Sequence, residues 1–229
     1  MMLRVGTYNI HRCVGCDGIE MPSRIAAVLA GMNADVVALQ EVAYDSCGPK
    51  NRLTELARAV SAHAIAGPTL LEGKGHYGNA ILSRIAPDQV ERVDLSVPGR
   101  EPRGAVAIQL RAGGSAVRVV ATHLGLRPME RRLQLRRLLP LLDTPPATVT
   151  ILLGDFNEWF LWGRTLRWLT HRFGRGFPAP ATFPSRRPLL ALDRIWVDPA
   201  KQLVSLSSYH ARSADIASDH LPLLAKVSI

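Results

Sequence analysis

Cysteine, lysine and aromatic residues are scarce in this chain, and long apolar runs are absent. Three cysteines among 229 residues exclude a disulfide-stapled scaffold. An odd count cannot pair completely, and a chain of this length buries a core without staples. Cys13 and Cys16 form a CxxC, with Cys47 further on. A zinc site needs two more ligands at suitable spacing, and only His11 stands close, so the pair reads as part of an ordinary loop. No apolar stretch reaches the ~18 residues of a spanning helix, which predicts a soluble protein. The opening MMLRVGTYNIH has no basic region, apolar region or cleavage site of a secretory signal, and a cytoplasmic location is expected.

Only four of the 28 basic residues are lysine, and the formal charge is +9. Such a balance draws a protein toward polyanions such as nucleic acid or an anionic membrane surface. Arginine spread over solvated faces would give the same total, so the charge alone does not choose.

What is present is ordinary globular composition, 47% apolar and 21% charged. Short runs rich in Val, Ile and Leu predict strands at residues 3 to 10, 34 to 40, 77 to 83, 104 to 111, 116 to 123, 148 to 154, 191 to 197 and 221 to 228. Eight strands overfill one small open sheet, so two stacked sheets in a single α/β domain spanning residues 1–229 are expected. Four helices are expected. Ile25, Val28, Leu29 and Met32 share a face after Pro22-Ser23, and Leu53, Leu56, Ala57 and Val60 repeat the pattern. Leu135, Leu138, Leu139 and Leu142 line a third, stopped by Pro145-Pro146. The fourth follows Asn157, with Trp162, Leu166, Leu169 and Phe173 on an apolar face and Arg164, Arg167, His171 and Arg175 on a basic one. That helix either packs its apolar stripe on a sheet or lies on an anionic surface with Trp159, Trp162 and Trp168 as anchors. Residues 43 to 52, 67 to 77 and 176 to 190 read as loops.

Polar residues collect where the expected strands end. Asn9 closes the first, Gln40-Glu41 the second, His123 a middle one, and Asp155 and Asn157 a later one, while Asp219-His220 precede the last. Taken singly, each has an ordinary use as turn residue, cap or satisfied histidine. Together, several carboxylates with amides and two imidazoles, and no nucleophile elbow, are the parts of a hard-cation site acting on phosphate.

The blocks TYNIH, LQE, YGNAILS, THL, GDFN, LDRIWV and SDHLPL follow in order from Thr7 to Leu223. GDFN alone arises by chance about once in a thousand chains this long, so the ordered series is specific. It resembles the endonuclease/exonuclease/phosphatase family, which includes DNase I, abasic-site endonucleases, neutral sphingomyelinases and inositol polyphosphate 5-phosphatases. The resemblance implies a four-layer α/β/β/α sandwich of two mixed, mainly antiparallel sheets. It implies Glu41 as principal magnesium ligand, manganese being a substitute, with Asn9 and Asp219 beside it. Asp155 and Asn157 then lie near the attacked phosphorus, and His220 with Asp193 forms an imidazole–carboxylate pair. His123 is the second active-site histidine, Arg103 approaches the phosphate, and Asn79 supports the substrate site.

His11 stands where abasic-site endonucleases carry an acidic or amide residue, which argues against that branch. THLGL and the compact length look closer to the sphingomyelinase-like branch and to small bacterial hydrolases. The expected function is magnesium-dependent hydrolysis of a small or lipid-linked phosphate ester, in which His220 or Asp155 activates water. A DNA or RNA nuclease is the second reading, favoured by the charge. A non-catalytic binding module is the third, disfavoured because every expected carboxylate and histidine is present. Expected partners are the phosphate ester, nucleic acid under the second reading, and a peripheral anionic membrane; no obligate protein partner is inferred.

Overall fold

The computed structural model describes residues 1–45, 52–72, 75–145, 148–174 and 177–229. Cys47, Pro146 and Arg175 lie outside the described residues. The strands are β1 (Met2–Asn9), β2 (Val36–Asp45), β3 (His63–Glu72), β4 (Gly75–Ser83), β5 (Gln89–Asp94), β6 (Gly104–Ala112), β7 (Ser115–His123), β8 (Val149–Asp155), β9 (Asp193–Asp198), β10 (Leu203–Ser208) and β11 (Leu223–Ser228). The helices are α1 (Pro22–Met32), α2 (Arg52–Ala59), α3 (Pro128–Leu138), α4 (Arg164–Phe173) and the single turn α5 (Ala214–Ala217).

The strands form two sheets, ordered β10-β11-β1-β2-β4-β3 and β5-β6-β7-β8-β9. Each contains one parallel pair, β1 with β2 and β7 with β8, and every other pairing is antiparallel. Each parallel pair is crossed over by a helix, α1 or α3, as parallel neighbours require. One apolar cluster, including Leu3, Val5, Val106, Val119, Ile151 and Val227, fills the space between the sheets. A second lies under α1, α2 and α5, and a third under α3 and α4. The result is the four-layer sandwich.

All eight expected strands are present, and β3, β5 and β10 are additional. All three additional strands lie at sheet edges. There one flank is solvated and the apolar pattern weakens; β5 is almost entirely exposed, and β3 carries Pro68, tolerable only at an edge. For the same reason residues 67 to 77, expected as a loop, are mostly the β3–β4 hairpin, and β2 extends to Asp45.

Helix periodicity reads out directly in α1, whose buried residues are Ile25, Val28, Leu29 and Met32, with Pro22 in its first turn and Asn33 left-handed at its end. The expectation for α4 needs correction. Leu166, Leu169 and Phe173 are buried against the second sheet, but Trp162 precedes the helix and is 72% exposed. Gly163 caps the helix between them, so Trp162 does not share its apolar face.

Candidate active site

Strand register assembles the site. In the second sheet His123 pairs with Asp155, and Asp155 with Asp193, so three neighbouring strands carry a row of one imidazole and two carboxylates. In the first sheet Asn9 pairs with Gln40, which brings the ends of β1 and β2 together. The β2–β4 register shifts between Leu39 and Val42, and Glu41 adopts φ 56° within this bulge. An extra residue re-aims the side chain, and a left-handed non-glycine residue is tolerated where its surroundings enforce it. Asn157 is likewise left-handed, φ 49°, and its backbone N–H donates to Asp155 Oδ1 at 2.9 Å.

The two sheets meet at Asn9. Its Nδ2 donates to Glu41 Oε1 at 3.0 Å and to Asp155 Oδ2 at 3.1 Å. Asn9 Oδ1 accepts from the His11 backbone at 3.1 Å, which fixes the amide's orientation. Asp219 joins through Ser218, whose hydroxyl donates to the Asn9 carbonyl at 2.7 Å and lies 3.3 Å from Asp219 Oδ1. The half-buried His11 ring lies 3.9 Å from Asp219 and contacts the Val14 carbonyl.

Both histidines converge on Asp155 Oδ2, His123 Nε2 at 3.6 Å and His220 Nε2 at 3.8 Å. Their electrostatics are opposite. Burial pushes His123 down to about 3, and the Arg103 guanidinium pushes in the same direction against the pull of Asp155. Its two ring nitrogens face Arg103 Nη1 at 3.2 Å and Asn157 Nδ2 at 3.1 Å, an environment hostile to a further proton. Burial would also lower His220. The charge of Asp193 and its hydrogen bond to Nδ1 at 2.8 Å, with Asp155 and Asp219 behind, outweigh burial and push it up to about 10. The surroundings therefore disfavour a proton on His123 and favour one on His220.

Arg103 is 6% exposed, held between His123 and Glu101, so it is not a solvated loop residue. Asn79 lies behind it, donating to the Gly104 carbonyl at 2.8 Å and so tying β4 to the start of β6 across the sheets. The structure thus joins Asn9, Glu41, Asp155, Asn157, His123, Arg103, Asp193 and His220 in one set of contacts, with Asp219 attached through Ser218 and Asn79 through Gly104.

Three contributors, Thr182, Phe183 and Glu158, escaped the sequence reading. Thr182 donates to Asp193 Oδ2 at 2.6 Å, and the Phe183 ring lies 5.0 Å from that of His220. Both come from the proline-rich loop, which carries no periodic signal. Tyr77, which the YGNAILS block offers as a support of the site, bonds Glu41, and burial first, then the charges of Glu41 and Glu101, raise its phenol above the ordinary range. Glu158 is buried and pairs with the fully buried Arg131 at 3.0 Å; its place directly after GDFN was the available clue. Cys13 is buried in the cluster under α1, where burial raises its thiol to about 11, and Cys16 contacts Ser185 and the Ser218 carbonyl. Both are free thiols.

Two groups of side chains could hold a divalent cation. By spacing, Asp155, Asp193 and His220 offer ligand atoms within 4.8 Å of one another. By donor chemistry, Glu41, Asp155 and Asp219 supply carboxylate oxygens for a hard cation, and Asn9 would add one by turning its amide, whose Nδ2 faces Glu41 and Asp155. Among the described residues no lysine or arginine forms an ion pair with Glu41, Asp155 or Asp219, whose only ionisable partners of opposite sign are histidines.

A two-sheet sandwich with carboxylates, amides and imidazoles gathered at one end defines a class of hydrolytic enzymes acting on phosphate esters. The model of the endonuclease/exonuclease/phosphatase family matches residues 6–220, and the chain belongs to that family. It is 32% identical over 215 residues to the uncharacterized protein YbhP of Escherichia coli strain K12, covering 86% of this chain and 85% of that one. Among solved structures, a functionally unknown conserved protein from Enterococcus faecalis V583 superposes with a TM-score of 0.80 at 19% identity, covering 99% of each chain. D. rerio TDP2 complexed with single-strand DNA product superposes at 0.71 with 20% identity, covering 100% of this chain and 99% of that one. Both likenesses are in the fold. The family is typically dependent on a divalent metal. Among the described residues no helix is long and apolar enough to cross a membrane.

Proposed function

We propose that the chain, acting as one domain over residues 1–229, hydrolyses a small or lipid-linked phosphate ester with the help of magnesium, manganese being a substitute. The observation that carries this reading is the convergence on Asp155 Oδ2, which lies 3.1 Å from the Asn9 amide, 3.6 Å from His123 and 3.8 Å from His220. Glu41 is the firm metal ligand, supported by Asn9 and Asp219. The Asp155–Asp193–His220 group is the poorer choice, because Asp193 Oδ2 already serves His220 and Thr182. A bound magnesium would offset charge on the phosphate and polarise it toward attack.

The chain's own groups divide the remaining work. His220, held by Asp193, donates to a non-bridging phosphate oxygen, where negative charge grows during attack. Asp155 accepts the proton of the attacking water, since its Oδ2 is the acceptor on which Asn9, His123 and His220 converge while Asp193 holds His220 through Nδ1. This narrows the sequence expectation, which let either residue serve as base. His123 and Asn157 lie beside Asp155 to bind phosphate or help the leaving oxygen depart, once the bond between His123 and Asn157 gives way to substrate, and Arg103 adds a fixed positive charge behind His123.

The test is turnover of bis-p-nitrophenyl phosphate with magnesium, alongside plasmid DNA. Magnesium-dependent release of p-nitrophenol, abolished by EDTA, is expected. Plasmid nicking without ester turnover would move the assignment to the nuclease reading, which the +9 charge supports. Inactivity on both would sink hydrolysis of these phosphodiesters and leave a binding module.

A further inference from the structure

Two exposed apolar segments begin where two site strands end. β8 delivers Asp155 and Asn157 and runs directly into Trp159, Phe160, Leu161 and Trp162, which are 41%, 42%, 73% and 72% exposed. β7 delivers His123 and runs into Leu126 and Met129, 58% and 64% exposed. Because β7 and β8 are parallel neighbours, both segments emerge at the same end of the sandwich, beside the site.

The segments are joined. Arg131 of α3 reaches back to the Leu126 carbonyl at 2.6 Å, pairs with Glu158, and lies with its guanidinium carbon 5.5 Å from the Trp159 ring centre. The projecting rings pack chiefly on each other, Trp159 to Phe160 at 5.8 Å and Phe160 to Trp162 at 5.3 Å. Six large apolar side chains exposed in one neighbourhood mark an interaction surface.

The surrounding charge is of one sign. Between Leu124 and Leu138 and between Asn157 and Phe173 the only carboxylates are Glu130 and Glu158, both buried. Arg127, Arg136, Arg137, Arg164 and Arg167 are exposed there. A cavity of about 280 Å³ between α3 and the aromatic ridge is lined by Arg132, Arg164, Arg167, Phe160 and Trp162, and by Glu158, which pairs with Arg131.

We propose that this ridge docks the site onto a bilayer containing anionic phospholipid, so that the ester it cleaves is presented by the membrane; the second clause rests on the hydrolase reading above, the first does not. Tryptophan, phenylalanine and leucine enter the headgroup–acyl boundary while the surrounding arginines meet lipid phosphates. Single-stranded nucleic acid would also suit arginines and aromatic rings. Leu126, Met129 and Leu161, among the most exposed of the six, have no π-face for a base to stack on, and they favour lipid.

The experiment is co-sedimentation with vesicles of phosphatidylglycerol and phosphatidylcholine, against pure phosphatidylcholine, at low and high salt. Two variants are compared, Leu161→Ser with Trp162→Ser, and Leu126→Ser with Met129→Ser. The expected result is salt-sensitive binding to the anionic vesicles, weakened at least about tenfold in either variant, with turnover of the soluble ester unchanged. Protein that stays in the supernatant with anionic vesicles at low salt would overturn the proposal. So would variants that sediment like the parent, or a loss confined to binding of a single-stranded oligonucleotide. Binding without ester turnover would support docking while sinking the hydrolase reading.

Discussion

Asp155 is the side chain on which most of the site's contacts meet, and its two oxygens have separate duties. Oδ1 accepts from the Asn157 backbone, while Oδ2 faces Asn9, His123 and His220. Replacing it by Asn preserves shape but removes the proton acceptor, so Asp155→Asn is expected to lower kcat by about 10²–10⁴-fold with little change in KM, read from steady-state kinetics. The two histidines give a pH signature in the metal-free protein. His220 has a folded pKa, about 10, above the ordinary 6.5. The folded state then holds more protons between those values, and stability falls as pH rises through that window. His123, lowered to about 3, acts oppositely, and its contribution rises with pH between about 3 and 6.5. Urea unfolding in EDTA is expected to show the alkaline decline in the parent and a shallower one in His220→Gln; equal slopes would contradict the assignment. At this scale most of the site was legible, because its members stand at strand ends inside short recognisable blocks. Thr182 and Phe183 were not, since a hydroxyl or ring brought in by a proline-rich loop has no periodic mark.

Elements hold these residues by close backbone approach and by one buried charge pair. Gly154 is left with φ 148°, and a Cβ there would collide with the Thr122 carbonyl on the neighbouring parallel strand. Gly154→Ala is therefore expected to destabilise the fold by about 1–3 kcal/mol, measured from the urea midpoint, and to disturb Asp155 next to it. Arg131 and Glu158 anchor α3 to the loop after β8 and are 0% and 3% exposed. Arg131→Met strips the partner from a buried carboxylate, and a loss of about 3–5 kcal/mol is expected; a loss under about 1 kcal/mol would mean Glu158 finds water or another donor. Central strands and long helices were legible because two-sided burial writes a continuous apolar run. The edge strands β3, β5 and β10 were not, and Trp162 was assigned to α4 because helical spacing cannot see the Gly163 cap.

For the molecule as a whole, the decisive feature is that neither sheet contains the site alone. The first supplies Asn9 and Glu41, the second His123, Asp155 and Asp193, and the connection into β11 supplies Asp219 and His220. The Asn9 amide spans the seam from Glu41 to Asp155 through Nδ2, and the Asn79 amide spans it again at Gly104. The layered architecture and the family were legible from the ordered blocks. The seam was not, because register across two sheets is a property of packing. If the seam is where phosphate is cleaved, a hard cation must sit on its oxygen-rich side. The most direct measurement is anomalous diffraction from crystals grown with manganese. The expected result is one strong peak within about 2 Å of a Glu41 carboxylate oxygen, lost in Glu41→Gln. A peak held by Asp193 and His220 instead, or none in this end of the sandwich, would contradict the account.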